Sequence, residues 1–119
     1  MNKTDTAQES LGYLSKRTPN KLLYKDGSPS AGTYTFTYEL SQRDLAVSLS
    51  ATLGTSSSIS VNVYPVDPAG NVMSTDLLQT SLSASGNIYV TAEAFSFRQM
   101  SVSVVVVGSV SAVDLAIYG

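Results

Sequence analysis

The side chains of this chain that could carry out chemistry are carboxylates and hydroxyls, because its 119 residues include no histidine and no cysteine. Without histidine, a serine cannot be activated by the usual Ser-His-Asp arrangement. Without cysteine there is neither a thiolate nucleophile nor a disulfide. We therefore interpret the 31 serines and threonines as residues of strand faces and turns rather than as nucleophiles.

Carboxylates alone can cleave glycosides, but that reaction needs two of them about 5–10 Å apart. The six acids beyond residue 32 are scattered, one to each predicted strand or turn, and none is paired in the sequence. They are Glu39, Asp44, Asp67, Asp76, Glu93 and Asp114. The sequence therefore predicts a protein that is not an enzyme and that binds no cofactor and no metal.

Two short motifs resemble ligand loops without matching them. The segment from Asp67 to Asn71, Asp-Pro-Ala-Gly-Asn, begins like a calcium loop but lacks the alternating acids and the closing glutamate. We interpret it as a β-turn, since proline presets φ and glycine accepts a positive φ. The segment 54–58, Gly-Thr-Ser-Ser-Ser, has no lysine for a phosphate and is interpreted as a hairpin tip.

Charge and hydropathy exclude two classes of partner. Residues 1–32 carry five basic and three acidic side chains, and residues 33–119 carry two basic and six acidic ones. Tyr13 and Tyr24 stand beside basic residues and could stack on bases. A surplus of two positive charges gives few phosphate contacts, however, so we expect no nucleic-acid partner. The N-terminus has no apolar run typical of a signal peptide, and no segment approaches the ~18 apolar residues of a membrane span. We expect neither membrane insertion nor secretion by a signal peptide.

The first 32 residues differ in composition from the rest, because they are polar and carry turn signals at Thr18–Asn20 and Asp26–Pro29. Their few apolar side chains cannot offset the backbone entropy of ordering the whole segment. We therefore predict that residues 1–32 form an extended N-terminal arm that grips a partner subunit. The predicted contact residues are Leu11, Tyr13, Leu14, Leu22, Leu23 and Tyr24.

From Thr33 onward apolar and polar residues alternate with period 2, which is typical of strands with one buried face. The predicted strands cover residues 33–40, 45–53, 59–64, 77–82, 88–94, 98–107 and 110–118. Short strands separated by turns, with no helix long enough to cover a sheet, indicate an all-β protein. We predict an antiparallel β-sandwich domain of about seven to eight short strands over residues 33–119, jelly-roll or immunoglobulin-like, with the strand order left open.

The strand predicted at 98–107 ends in four consecutive valines, Val104 to Val107. A strand that is apolar on both faces is typical of burial on both sides. Something must therefore cover Val105 and Val107 on the outer face. The candidates are a second copy of the protein, in a closed ring such as a trimer, and the arm itself through Leu22–Tyr24.

The order of strands and loops between Leu45 and Tyr118 also follows a pattern. A serine-rich strand precedes a strand that ends in a Pro/Asp/Gly loop; then come a glycine-led strand, an aromatic–arginine segment and a last strand. They are Ala46–Leu53, Val61–Gly70, Gly86–Val90, Phe95–Arg98 and Ala116–Tyr118. In this order they resemble the small β-sandwich modules of tailed-phage virion proteins. The chain departs from the commonest pattern in lacking a tryptophan after the loop near Gly70.

Such modules serve as capsid decoration or cement proteins, head fibres or tail accessories, and they assemble as oligomers. The resemblance implies a non-enzymatic structural protein located in the virion. Capsid decoration is the favoured role, and a part of a fibre or tail is the next. Its partners would be the major capsid protein or other virion subunits, together with further copies of itself. The alternative is a carbohydrate- or receptor-binding module of a tail or fibre, which would use exposed tyrosines and loop Asn and Asp groups.

Overall fold

The computed structural model describes residues 21–94 and 97–119, and these residues form eight antiparallel strands in two four-stranded sheets. The strands are β1 (Lys21–Asp26), β2 (Gly32–Glu39), β3 (Asp44–Leu53), β4 (Ser58–Val66), β5 (Leu78–Leu82), β6 (Gly86–Glu93), β7 (Gln99–Val107) and β8 (Val110–Tyr118). The predicted antiparallel β-sandwich is confirmed, and β2 to β8 match the seven predicted strands within about two residues. The described part of the chain has no helix long and apolar enough to cross a membrane.

The strand order assigns the sandwich to one architecture. The first sheet has the order β1-β8-β3-β6 and the second sheet the order β2-β7-β4-β5. This arrangement of eight antiparallel strands in two facing sheets is the jelly roll, built from two Greek keys. Of the two sandwich types that the sequence left open, the structure therefore has the jelly roll.

The core lies between the sheets and is filled by every second side chain of the strands. On β3 the inward residues are buried and the residues between them are not, as the alternation predicts. The same holds for β4, and for β8 except that Ala116, on its outer face, is also buried. The largest fully buried side chains are Leu45, Leu49, Ile59, Met100, Leu115, Ile117, Val47, Val61, Val63, Val102, Val104 and Val106. The central strands β3, β4, β7 and β8 thus bury one face in the core and leave the other outside.

The edge strand β1 belongs to the sandwich, although the sequence analysis placed residues 21–26 in the arm. It pairs with β8 over its whole length, with Leu23 opposite Ala116. Tyr24 points between the sheets, where its ring centroid lies 5.1 Å from that of Phe36 and 6.4 Å from that of Tyr34. Part of the segment assigned to the arm is thus a strand, residues 27–32 lead from it into β2, and residues 1–20 lie outside the described residues.

The hairpin between β7 and β8 packs closely against the turn that precedes β4 and is hydrogen-bonded to it. Gly108 has a φ of 79°, and a Cβ at this position would lie 2.5 Å from the Oγ atom of Ser57. That Oγ atom accepts a hydrogen bond from the backbone N–H of Ser109 at 2.8 Å. The two-residue turn predicted at Gly108 and Ser109 therefore needs glycine for its backbone conformation and for this close approach.

The neighbouring residues Tyr24 and Leu23 provide a matched test of β1. Tyr24→Ala removes an aromatic ring packed on two others and should lower the free energy of unfolding by about 2 kcal/mol. Leu23→Ala removes a side chain that is 58% exposed on the other face of the strand, and should change it by less than about 0.5 kcal/mol. Denaturant titration measures both values. Equal effects of the two substitutions would contradict the packing of β1 against the core.

Candidate functional site

Three large apolar side chains are exposed together on the outer face of the first sheet, the face turned away from the core. They are Leu23, Tyr89 and Tyr118, with exposed fractions of 58%, 73% and 40%. They come from three different strands, β1, β6 and β8. Since exposed aromatic and aliphatic side chains that share one surface are typical of contact sites, this face is the first candidate for function.

The register of the first sheet aligns large and small side chains across this face. Tyr89 on β6 lies opposite Ser48 on β3, Ser48 lies opposite Ala116 on β8, and Ala116 lies opposite Leu23 on β1. Large side chains therefore stand at both edges, and small ones form the floor between them. We call the resulting depression, which is bounded by Leu23 and Tyr89 and runs along the strands of the first sheet, the outer groove.

Polar side chains form one end of the outer groove. Ser50 lies between Asn87 on β6 and Asp114 on β8, and Asp114 lies opposite Lys25 on β1. The Nζ atom of Lys25 is 3.7 Å from the Oδ1 atom of Asp114. This exposed ion pair contributes little to stability, but it neutralises the lysine and places hydrogen-bonding groups beside the serine floor.

The other end of the outer groove is acidic. Ala46 lies between Thr91 and Tyr118, and one step further along the strands Asp44 lies opposite Glu93. Two hollows, each of about 640 Å³, lie on this face. One is lined by Ser48 and Ser50 and the other by Ala46 and Asp44. The outer groove is thus an open trough with tyrosines beside it, small residues on its floor and polar groups at both ends.

The pair Asp44 and Glu93 was missed by the sequence analysis, which found no paired acids. The two residues are far apart in the chain, and only the register of β3 with β6 places them opposite each other. Both side chains are exposed to solvent. A carboxyl group that donates a proton in glycoside hydrolysis needs surroundings that keep it protonated at neutral pH, usually burial. Since neither side chain is buried, the pair contributes formal negative charge and hydrogen-bond acceptors to the outer groove.

The outer face of the second sheet carries the valines that the sequence analysis singled out. Val105 lies between Thr33 on β2 and Ser60 on β4, and Val107 lies opposite Ser58. Val105 is half-buried among these neighbours and Val107 is 49% exposed. The two valines form a small apolar spot, at the hairpin end of the sandwich, on a face rich in hydroxyl groups.

The structure does not bring the described arm residues to these valines. Leu23 lies on the outer face of the first sheet and Tyr24 lies between the sheets, whereas Val105 and Val107 lie on the outer face of the second sheet. The contact residues Leu11, Tyr13 and Leu14 fall outside the described residues, as does the side chain of Leu22. The partner-binding role of all eight predicted contact residues stays a prediction.

The loop after β4 is the turn that its sequence predicts. The Oδ1 atom of Asp67 accepts hydrogen bonds from the backbone N–H groups of Ala69 at 3.0 Å and Asn71 at 2.8 Å. Its Oδ2 atom accepts one from the side-chain amide of Asn71 at 3.1 Å. These bonds hold the pKa of Asp67 below its ordinary value, because they stabilise the ionised carboxylate. Within residues 21–94 and 97–119 no group of three or more metal-ligating side chains is present.

No protein-family model and no curated protein matches the sequence. Solved structures resemble the fold, among them a chain of the infectious bursal disease virus particle with 14% identity, a TM-score of 0.48 and coverage of 86% of this chain and 31% of that chain. A Bacillus endospore appendage subunit has 15% identity, a TM-score of 0.50 and coverage of 86% and 89%. The SPBc2 prophage-derived protein YomS has 23% identity, a TM-score of 0.48 and coverage of 86% and 95%.

These similarities concern the fold. An isomalto-dextranase from Arthrobacter globiformis and two carbohydrate-binding modules resemble it as well. The chain spans about a third of the viral particle chain and most of the endospore and prophage proteins. Viral and prophage proteins are among these neighbours, and the resemblance to tailed-phage virion modules stays a prediction from the sequence pattern.

The hydrogen bonds of Asp67 predict a pH dependence of stability. Since its pKa in the folded protein lies below the ordinary value of 3.8, its contribution is present above about pH 4 and is lost as the pH falls through the folded value. Asp67→Ala should therefore lower the Tm at pH 7, and the difference from the wild type should vanish in strong acid. Thermal unfolding followed by circular dichroism from pH 7 to pH 2 measures this.

The matched control is Asp44→Ala, which removes the same charge from an exposed strand position of the other sheet. We expect a smaller loss of Tm for this variant at pH 7. A loss of equal size would attribute the effect to net charge and would contradict the role of the loop bonds.

Proposed function

We propose that the chain is a non-enzymatic structural protein of a bacteriophage particle, a capsid decoration protein that binds assembled shell subunits and stabilises them. The observation that carries the proposal is the position of its exposed apolar side chains. In the described residues, Leu23, Tyr89, Tyr118 and Val107 lie on the open outer faces of the two sheets, outside the filled core. Open faces of this kind suit contact with large flat partners.

The architecture supports the same proposal by analogy. The jelly roll is a common fold of viral capsid and lectin domains, and the fold alone does not determine function. The Bacillus endospore appendages, whose subunit matches over 89% of its length, are pili and thus assemblies of subunits. A decoration protein likewise functions through repeated contacts with a larger assembly.

The proposed contacts divide between the two outer faces. Val105 and Val107 would pack against a second copy of the protein, in a closed ring such as a trimer, because an uncharged run of valines left bare promotes aggregation. Leu23 would contact the major capsid protein or another virion subunit. The contact residues before β1, Leu11, Tyr13 and Leu14, are proposed to extend this grip onto a neighbouring subunit.

The valine contact is tested by Val107→Lys. The substitution places a charge on the exposed spot, and we expect it to convert an oligomer into a monomer while the β-sheet circular dichroism stays unchanged. Light scattering at tens of micromolar protein measures the mass. The control Thr91→Lys adds the same charge to an exposed position on the outer face of the first sheet and should leave the mass unchanged.

A wild-type protein that is already monomeric at this concentration would contradict the valine contact. The decoration role has its own test, which is co-sedimentation of the purified protein with phage shells that lack it. Saturable binding at a fixed number of copies per shell is expected. The absence of sedimentation with any such shell would contradict the proposed function.

A further inference from the structure

The outer groove combines aromatic rings, groups that donate and accept hydrogen bonds, and no surplus of positive charge. We infer that it is a binding site for a neutral oligosaccharide. This inference goes beyond the proposed decoration role and does not depend on it, since the valine contact lies on the opposite sheet and the proposed virion contact on this face is Leu23, at the edge of the groove.

The two tyrosines provide platforms for sugar rings. Tyr89 is 73% exposed on the edge strand β6, and Tyr118 is 40% exposed on β8. Their positions differ by two strands and by two residues along the strands, which separates their Cα atoms by about 12 Å. A tyrosine presents a flat apolar face and a polar hydroxyl, which suits the C–H face and the hydroxyl edge of a pyranose. Two such platforms this far apart fit several linked sugar units.

The floor between the tyrosines gives the groove its depth. Ala46 and Ser48 on β3 and Ala116 on β8 have the small side chains that let a ligand approach the sheet closely. These residues lie on the two central strands of the first sheet, which are held on both sides by neighbouring strands. The floor is therefore formed before any ligand arrives, so binding costs little ordering entropy.

The polar groups match the requirements of hydroxyl groups. A sugar hydroxyl both donates and accepts hydrogen bonds, so its site needs both kinds of partner. The amide of Asn87 supplies both, and the hydroxyls of Ser50 and Thr91 can do either. At the far end, the carboxylates of Asp44 and Glu93 accept. A small number of such groups on an otherwise apolar surface fixes the orientation of a ligand.

The charge of the groove selects neutral ligands over anionic ones. Lys25 is the one basic side chain among the described residues that line it, and Asp114 pairs with it at 3.7 Å. At the other end Asp44 and Glu93 carry two formal negative charges, against one positive charge from Lys21, which the register places opposite Tyr118. Phosphate, sulfate and uronate groups would be repelled from such a surface. Small residues form the floor of the groove, where a protein interface usually has its large apolar anchors, so the floor suits an oligosaccharide, while Leu23 at the edge stays available to a virion subunit.

The inference is tested with an array of neutral and acidic oligosaccharides, followed by calorimetry of the strongest neutral ligand. We expect binding of at least one neutral oligosaccharide, weakened at least about tenfold by Tyr89→Ala. The matched control is Tyr64→Ala, which removes a tyrosine from the outer face of the second sheet and should leave the affinity unchanged. A second variant, Ser48→Gln, fills the floor while keeping both tyrosine rings and should also abolish binding.

Several results would overturn the inference. They are the absence of any neutral ligand at millimolar concentration, binding of acidic oligosaccharides alone, and an equal loss of affinity in Tyr64→Ala. Dissociation of a wild-type oligomer by Tyr89→Ala would assign the groove to a second copy of the chain instead. Shell co-sedimentation of the Tyr89→Ala variant, expected to be unchanged, keeps this test separate from that of the decoration role.

Discussion

Burial of one face of the central strands is the constraint on which the rest of the structure depends. The inward side chains of β3, β4, β7 and β8 are almost completely removed from water, and they are mainly valine, leucine and isoleucine. This burial supplies most of the favourable free energy of folding. Because side chains alternate along a strand, it also fixes which residues face outward. The described part of the chain has no helix that could form a cleft, so a partner or ligand binds to those outward residues.

Much of the fold is predictable from the sequence because apolar and polar residues alternate along it. From residue 33 onward the apolar residues recur at every second position, and each of the seven strands predicted there is observed. The exception is β1. Its sequence, Lys-Leu-Leu-Tyr-Lys-Asp, has two adjacent leucines and three charged residues, so apolar and polar residues do not alternate along it. An edge strand has one neighbour and tolerates such charge, so its pairing with β8 depends on the tertiary fold rather than on its own pattern.

The candidate site was less accessible to sequence reasoning. Leu23, Ser48, Tyr89 and Ala116 are spread over 94 positions, and they come together because the jelly roll places β1, β3, β6 and β8 side by side. The pairing of Asp44 with Glu93 has the same origin. In contrast, the exposed position of Val107 follows from the valine run itself. The alternation of apolar and polar residues predicts which residues face outward, but the strand order determines which of them share a face.

The position of β1 beside β8 is the most direct point at which to test this account. Because the chain has no cysteine, the double variant Leu23→Cys/Ala116→Cys forms a clean probe of two residues that lie directly opposite each other on adjacent strands. Such pairs lie close enough for a disulfide. Mass spectrometry after mild oxidation should detect an intramolecular disulfide in this variant and none in Leu23→Cys/Val105→Cys, whose residues lie on opposite outer faces. A disulfide in the second variant, with none in the first, would place residue 23 over the valines and contradict the account.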